Sequence, residues 1–209
     1  APASAETTAD GRSRITLPLE ACGSVFVVFS PVPPADIVNT TTLWPKLETA
    51  LEVKGPWQVH FQEGRGAPAE ATFPTLTDWS RHADPGIRYF SGIADYTTSF
   101  DLPESKLSTH RNWYIDLGRT EVIARIELNG KPVTELWKTP FTCDITPYLQ
   151  AGQNTLKVSV ANEWPNRLIG DDALPQEKRV TFTTYNPYKK GTPLLPSGLL
   201  GPVRVAWAE

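Results

Sequence analysis

Residues 122–172 read VIARIELNGKPVTELWKTPFTCDITPYLQAGQNTLKVSVANEWPNRLIGDD. Ile126 and Leu128 alternate with Arg125 and Glu127, the period-two pattern of a strand with one buried face. Asn129-Gly130 then supplies the positive φ that a tight hairpin turn requires, so the chain is predicted to return along Val133 to Trp137. Phe141, Cys143 and Ile145 alternate again toward an interior, and Asp144 to Leu149 reads as a turn. Ala151-Gly152-Gln153-Asn154 resets the chain for a strand from Thr155 to Ala161, with Leu156, Val158 and Val160 on one face. Such a meander has one apolar face, which a second sheet must cover. The predicted class is all-β: an antiparallel β-sandwich of about eight to ten strands with a jelly-roll-like path and little helix. Its core should hold Ile126, Leu128, Phe141, Ile145, Leu156, Val158 and Val160.

Upstream of this stretch, Leu51 to Val53 and Trp57 to Phe61 read as strands, with Trp57, Val59 and Phe61 facing inward. Glu63 to Ala71 has loop composition, and Phe73 to Trp79 leads into a helical turn for which Thr77 is the candidate cap. Ile87 to Phe90, Gly92 to Leu102 and Trp113 to Leu117 continue the sheets. Downstream, Glu163 to Gln176 reads as a long loop, Val180 to Thr183 as a strand, Tyr185 to Pro202 as irregular chain and Val203 to Trp207 as the closing strand.

The N-terminal part differs. Residues 1–11 are small and polar and read as a loop, while Ile15 to Leu19 and Ser24 to Phe29 read as two strands, the second apolar throughout and so suited to burial on both faces. Ser30-Pro31-Val32-Pro33-Pro34 stops it. Residues 1–34 are therefore read as the last hairpin of a preceding β-domain, or as added edge strands, plus a linker; residues 35–209 form the sandwich. The chain contains no Met and opens Ala-Pro-Ala-Ser-Ala, so a cleaved signal peptide or an entire preceding region is expected upstream, with a secreted or periplasmic location.

Composition excludes several classes of partner. Hydrophobic residues make up 40%, charged residues 21%, and the formal charge is −3, with no cluster of Lys and Arg. Neither nucleic acid nor an anionic membrane is implied, and no apolar run reaches the roughly 20 residues of a membrane helix. His60, His82 and His110 share no metal-ligand spacing and the two cysteines lie far apart, so no metal residue is assigned. A structural Ca²⁺ held by loop carbonyls and carboxylates is the one cofactor left open, although no dedicated loop for it is visible. Cys143 lies on an inward-facing alternation and Cys22 in a turn of what reads as a different domain; both are expected to be free thiols. Ser197 lacks the Gly-x-Ser-x-Gly surround of a nucleophile and is read as structural.

Trp137, Trp164, Asn166, Arg167, Asp171 and Asp172 combine flat aromatic faces with groups that hydrogen-bond hydroxyls. They are the candidates for a carbohydrate site or for a surface that docks another domain. A third reading is structural, with Trp164 buried and Arg167 ion-paired to hold the Asp171 loop. Asp171 and Asp172 are adjacent, and could serve as the carboxylate pair of a glycosidase only through unusual loop geometry; fixing the loop is the simpler role. No catalytic residue is assigned.

Tyr89-Phe90-Ser91-Gly92, Leu117-Gly118, Leu128-Asn129-Gly130-Lys131, Trp137-Lys138-Thr139-Pro140-Phe141, Asp144-Ile145-Thr146 and Gly152-Gln153-Asn154 together resemble the sugar-binding β-sandwich of family 2 glycoside hydrolases, a galactose-binding-like domain. Trp164 to Asp171 and Phe182 to Val205 resemble something narrower, the C-terminal domain of glycoside hydrolase family 106, the α-L-rhamnosidases. The resemblance spans roughly residues 87 to 207, and Arg14 to Phe29 resembles the end of the domain that precedes it in that family. It implies that the catalytic carboxylates and metal belong to an upstream (β/α)₈ barrel, of which this chain carries no βα repeat. Three functions stay open: an accessory, non-catalytic domain of a larger rhamnosidase, an autonomous module binding a rhamnose-containing glycan, or a small complete enzyme.

Overall fold

The computed structural model describes residues 5–17, 19, 23–29, 46–107 and 112–208, in two compact units that divide after Leu47. In the first unit, β1 (Ala5–Thr7) and β2 (Ser13–Ile15) form an antiparallel hairpin closed by hydrogen bonds from Thr8 N to Arg12 O (2.8 Å) and from Gly11 N to Thr8 O (2.9 Å). Residues 5–7 are thus strand rather than loop, because they pair with β2. The predicted strand over Ser24 to Phe29 is not formed. Residues 23–29 join no ladder among the described residues, and Phe26, Val28 and Phe29 are exposed, since an apolar strand is buried only where a sheet accepts its backbone. Cys22 and His110 lie outside the described residues.

The second unit contains β3 (Glu48–Glu52), β4 (Trp57–Phe61), β5 (Glu70–Phe73), β6 (Ile93–Leu102), β7 (Asn112–Asp116), β8 (Arg119–Glu121), β9 (Ile123–Leu128), β10 (Lys131–Leu136), β11 (Thr142–Asp144), β12 (Gly152–Ala161), β13 (Gly198–Gly201) and β14 (Arg204–Ala208). A six-stranded sheet runs β10-β9-β12-β6-β4-β5, a four-stranded sheet runs β11-β7-β14-β3, and β8 pairs with β13; every one of these pairings is antiparallel. The class is all-β, an antiparallel sandwich.

Of the meander predicted over residues 122–161, β9, β10 and β12 lie in the large sheet, whereas β11 crosses to pair with β7 in the smaller one, so the stretch supplies strands to both layers. Val158 sits opposite Ile126 on one side and Tyr96 on the other, which places β12 between β9 and β6 at the middle of the large sheet. Ile126, Leu128, Phe141, Ile145, Leu156, Val158 and Val160 are all buried, in one cluster with Trp113, Ile115 and Val205 of the smaller sheet. Asn129 (φ 54°) and Gly130 (φ 75°) make the two-residue hairpin turn. The Asn129 side chain donates to Tyr148 O and to Asn154 Oδ1, and accepts from Thr155 N, each at 2.9 Å. Asn154 is fully buried yet satisfied, since its amide also donates to Gln150 O and Gly152 O.

Local chemistry explains the departures around residues 70–90. The chain expected to be loop ends in β5, which β4 draws into the sheet through the Trp57–Phe73 and Val59–Ala71 pairs. Asp78, not Thr77, caps the turn over Trp79–Arg81: its Oδ1 accepts from Ser80 N (2.9 Å) and from Ser197 N (3.0 Å). Residues 85–88 are a helical turn, α1 (Pro85–Arg88), because Asp84 accepts from Gly86 N at 2.7 Å and Pro85 pre-sets the first position.

Gly118 holds β8 and β13 at one end. Its φ is +63°, and a Cβ there would lie 2.6 Å from the carbonyl carbon and oxygen of Gly201. Gly118→Ala is expected to lower unfolding stability by about 1–3 kcal/mol through strain and overpacking, read from a urea midpoint. An unchanged midpoint would show that this contact can relax freely.

Candidate functional site

Residues 163–176 are not an irregular loop. Pro165 starts a helix, α2 (Pro165–Asp172), whose Asn166, Arg167, Leu168, Ile169 and Asp171 are all buried. Only Leu168 and Ile169 supply apolar side chains to its buried side, beside the polar Asn166, Arg167 and Asp171, so an apolar-period reading of the sequence has little to find. Arg167 and Asp171, one turn apart, form an ion pair at 3.0 Å with both side chains at most 5% exposed. The guanidinium carbon also lies 5.8 Å from the Tyr89 ring centroid. A Cβ on Gly170 would come within 2.7 Å of Arg167 Nη2 and 2.6 Å of Tyr89 Cγ, so glycine leaves the space that this packing uses.

The carboxylates of α2 hold the chain that follows. Asp171 accepts from Val180 N (3.2 Å), Thr181 N (2.9 Å) and Thr181 Oγ1 (2.6 Å) in addition to Arg167. These donors explain why the strand predicted over residues 180–183 does not start: the amides of Val180 and Thr181 are turned to a carboxylate instead of a ladder. Asp172 accepts from Lys190 N at 2.8 Å, with Lys189 Nζ at 3.9 Å. Asn166 donates to Leu195 O (2.7 Å) and Ser197 Oγ (2.9 Å) and accepts from Leu195 N (2.8 Å). The structure therefore places Asn166, Arg167 and Asp171 inside, with Asn166 and Asp171 bonded to protein, Arg167 paired to Asp171 through Nη2 while its Nε has no partner, and Asp172 nearer the surface.

The two tryptophans stand apart from that network. Trp164 is 56% exposed, which removes the reading in which it is buried, and Trp137 is 76% exposed on the connection between β10 and β11. Trp137, Thr139 and Phe141 line a groove of about 420 Å³ with Arg119, Thr120 and Glu121 of β8. A second cavity of about 260 Å³ shares Arg119 and Glu121 and runs to Glu163, Asn166 and Ser197. Arg119 Nε donates to Glu121 Oε1 at 2.9 Å on the shared wall. Sequence reasoning missed β8, because Arg-Thr-Glu has no apolar alternation; the Leu117-Gly118 step before it was the only visible signal. Ser197 is buried and structural, as its bonds to Asn166 and Leu195 show.

Cys143 on β11 is a free, half-buried thiol. Burial foremost, with the neighbouring Asp144 charge, pushes its pKa up to about 12. The folded value exceeds that of the unfolded chain, so this group's contribution to stability is present below the ordinary thiol pKa and is lost as pH rises toward about 12. In a Cys22→Ser chain at about pH 8, labelling of Cys143 by a disulfide reagent is expected to be slow in buffer and fast in denaturant. Equal rates in both would contradict the burial.

Among the described residues, no three of His, Cys, Asp and Glu gather as a metal site, and no helix is long and apolar enough to cross a membrane. Residues 91–190 match the family model described as glycosyl hydrolase 2 galactose-binding domain-like. A protein of Formosa agariphila described as "Putative beta-glucuronidase" is 38% identical over 178 residues, covering 74% of this chain and 15% of that protein. The rhamnosidase structure from Novosphingobium sp. PP1Y is 39% identical with a TM-score of 0.74, covering 83% of this chain and 16% of that one. The β-D-glucuronidase of Dictyoglomus thermophilum, 18% identical with a TM-score of 0.53 over 82% of this chain and 29% of its own, shares the fold alone. The chain thus spans 15% and 16% of the two more similar relatives. Its second unit carries a galactose-binding-like β-sandwich, within which residues 91–190 are similar to the glycosyl hydrolase 2 domain.

Proposed function

We propose that this chain is an accessory, non-catalytic domain of a larger, secreted or periplasmic glycoside hydrolase of the α-L-rhamnosidase kind, corresponding to the C-terminal sandwich of family 106. The observation that carries this reading is the commitment of both α2 carboxylates. Asp171 is buried under four donors and Asp172 accepts from the Lys190 amide, whereas glycoside cleavage needs a positioned acid and a second carboxylate facing a sugar. The two relatives at 38% and 39% identity bear different activity names, which supports a sandwich that accompanies the chemistry without setting the sugar. The rhamnosidase reading is favoured by the Trp164 to Asp171 and Phe182 to Val205 stretches.

The rest of the enzyme docks, in this reading, on the chain that α2 clamps. Phe182 is 83% and Tyr185 76% exposed, although Asp171 anchors the backbone beside them. Large aromatics held rigidly in water are suited to a partner surface. In the parent enzyme, Phe182→Asp with Tyr185→Asp is expected to lower the melting temperature while leaving that of the isolated 209-residue chain unchanged. Equal melting of parent and doubly substituted parent would count against this docking face.

A further inference from the structure

Asn129-Gly130 is the one Asn-Gly step in the chain; each of the other six asparagines precedes a larger residue. Such a step is reactive in an unconstrained chain, because glycine has no Cβ to shield its backbone nitrogen from the asparagine side chain. That nitrogen attacks Asn129 Cγ: a C–N bond forms, the Cγ–Nδ2 bond breaks, and the amide leaves as ammonia with the proton of the Gly130 N–H. Water then opens the cyclic imide at either carbonyl, leaving aspartate or isoaspartate at 129. The net change is one water taken up and one ammonia released, with no redox partner.

The native turn is open to water at Gly130 and tied down at Asn129. Gly130 is exposed, and a Cβ placed on it meets nothing within 4 Å. Asn129 is held by four bonds of 2.9 Å: its backbone N donates to Thr155 O, Nδ2 donates to Tyr148 O and Asn154 Oδ1, and Oδ1 accepts from Thr155 N. Attack makes Cγ tetrahedral and expels Nδ2, so it breaks both bonds that Nδ2 donates.

The product does not fit the place the amide held. A carboxylate only accepts, and its new oxygen would face Tyr148 O and Asn154 Oδ1, two further acceptors. Turning over the Asn154 amide gives no rescue. That side chain is fully buried, donates to Gln150 O and Gly152 O and accepts from Gln150 N, so a flip sets oxygen against two carbonyls. Isoaspartate also adds a main-chain carbon inside a two-residue turn, whose length sets the β9–β10 register.

We propose that Asn129 is a deamidation site gated by folding: the closed β9–β10 hairpin keeps the amide, opening of the hairpin releases it to react, and the acid formed prevents the same closure. Excursions from the native state are thereby recorded as a permanent loss of stability, whatever the role of the domain in its parent.

The test ages the 209-residue chain in warm, mildly alkaline, reducing buffer, with and without guanidinium chloride, and maps its peptides by mass spectrometry. Deamidation at Asn129 is expected to be at least about tenfold slower in the native chain than in denaturant, because its bonds must open first. In denaturant it should outpace every other asparagine. Asp10-Gly11 also forms isoaspartate, but without a change of mass and in a separate peptide. Chain aged in denaturant and then refolded should show a lower urea midpoint than chain denatured only briefly, and Asn129→Asp should lower it in the same direction. If Asn129→Asp does not fold, the two wild-type rates still decide the gating. Equal rates in the two conditions would overturn the gating, and faster reaction at another asparagine in denaturant would overturn the site. An unchanged midpoint in the deamidated chain would overturn the permanent loss.

Discussion

Arg167→Ala is expected to destabilise the sandwich by about 3–5 kcal/mol, because it strands the Asp171 carboxylate in a site where its side chain is 4% exposed. The cost comes from the abandoned charge more than from the lost attraction. Val180 N and the Thr181 donors would still face Asp171, but they cannot replace a guanidinium, and the Tyr89 ring would lose its cation. For a domain of this size the melting temperature should fall by about 6–20 °C. Arg167→Lys should recover only part of the loss, since lysine cannot reproduce the planar contact with Tyr89. A melting temperature close to wild type, together with lost sugar affinity, would instead make Arg167 a ligand-binding residue.

Phe141→Ala is expected to cost about 3–5 kcal/mol, as deletion of a buried aromatic ring does when the cavity cannot collapse. Phe141 is 5% exposed and belongs to the core cluster, and its carbonyl oxygen accepts from Leu117 N at 2.9 Å, so its backbone is tied on the side that would have to move. A urea unfolding curve gives the value directly. A loss below about 1 kcal/mol would place the ring on the surface.

The readable parts of this fold were those in which one face meets the core and the other meets water. Strands β9 and β12 alternate cleanly, and Asn129-Gly130 marks the turn with a dipeptide whose backbone freedom the hairpin uses. Helix α2 was hidden because Asn166, Arg167 and Asp171 point into the protein, against the usual partition of polar groups. The available signals were Pro165 at a first helical position and the Arg167 to Asp171 spacing of one turn. Val180 to Thr183 has strand composition, yet Asp171 captures the amides of Val180 and Thr181, an outcome set by tertiary contact. The candidate residues were legible by type more than by place: Trp137 and Trp164 are exposed, Asn166 bonds Leu195 and Ser197, Arg167 pairs with Asp171, and the groove wall on β8 went unread.

The most direct measurement is rhamnose release from an aryl α-L-rhamnoside by the purified 209-residue chain. No release above the buffer blank is expected, because Asp171 and Asp172 hold the 180–190 segment to α2 and present no carboxylate pair to a substrate. Release that disappears in Asp171→Asn or Asp172→Asn would contradict the non-catalytic role.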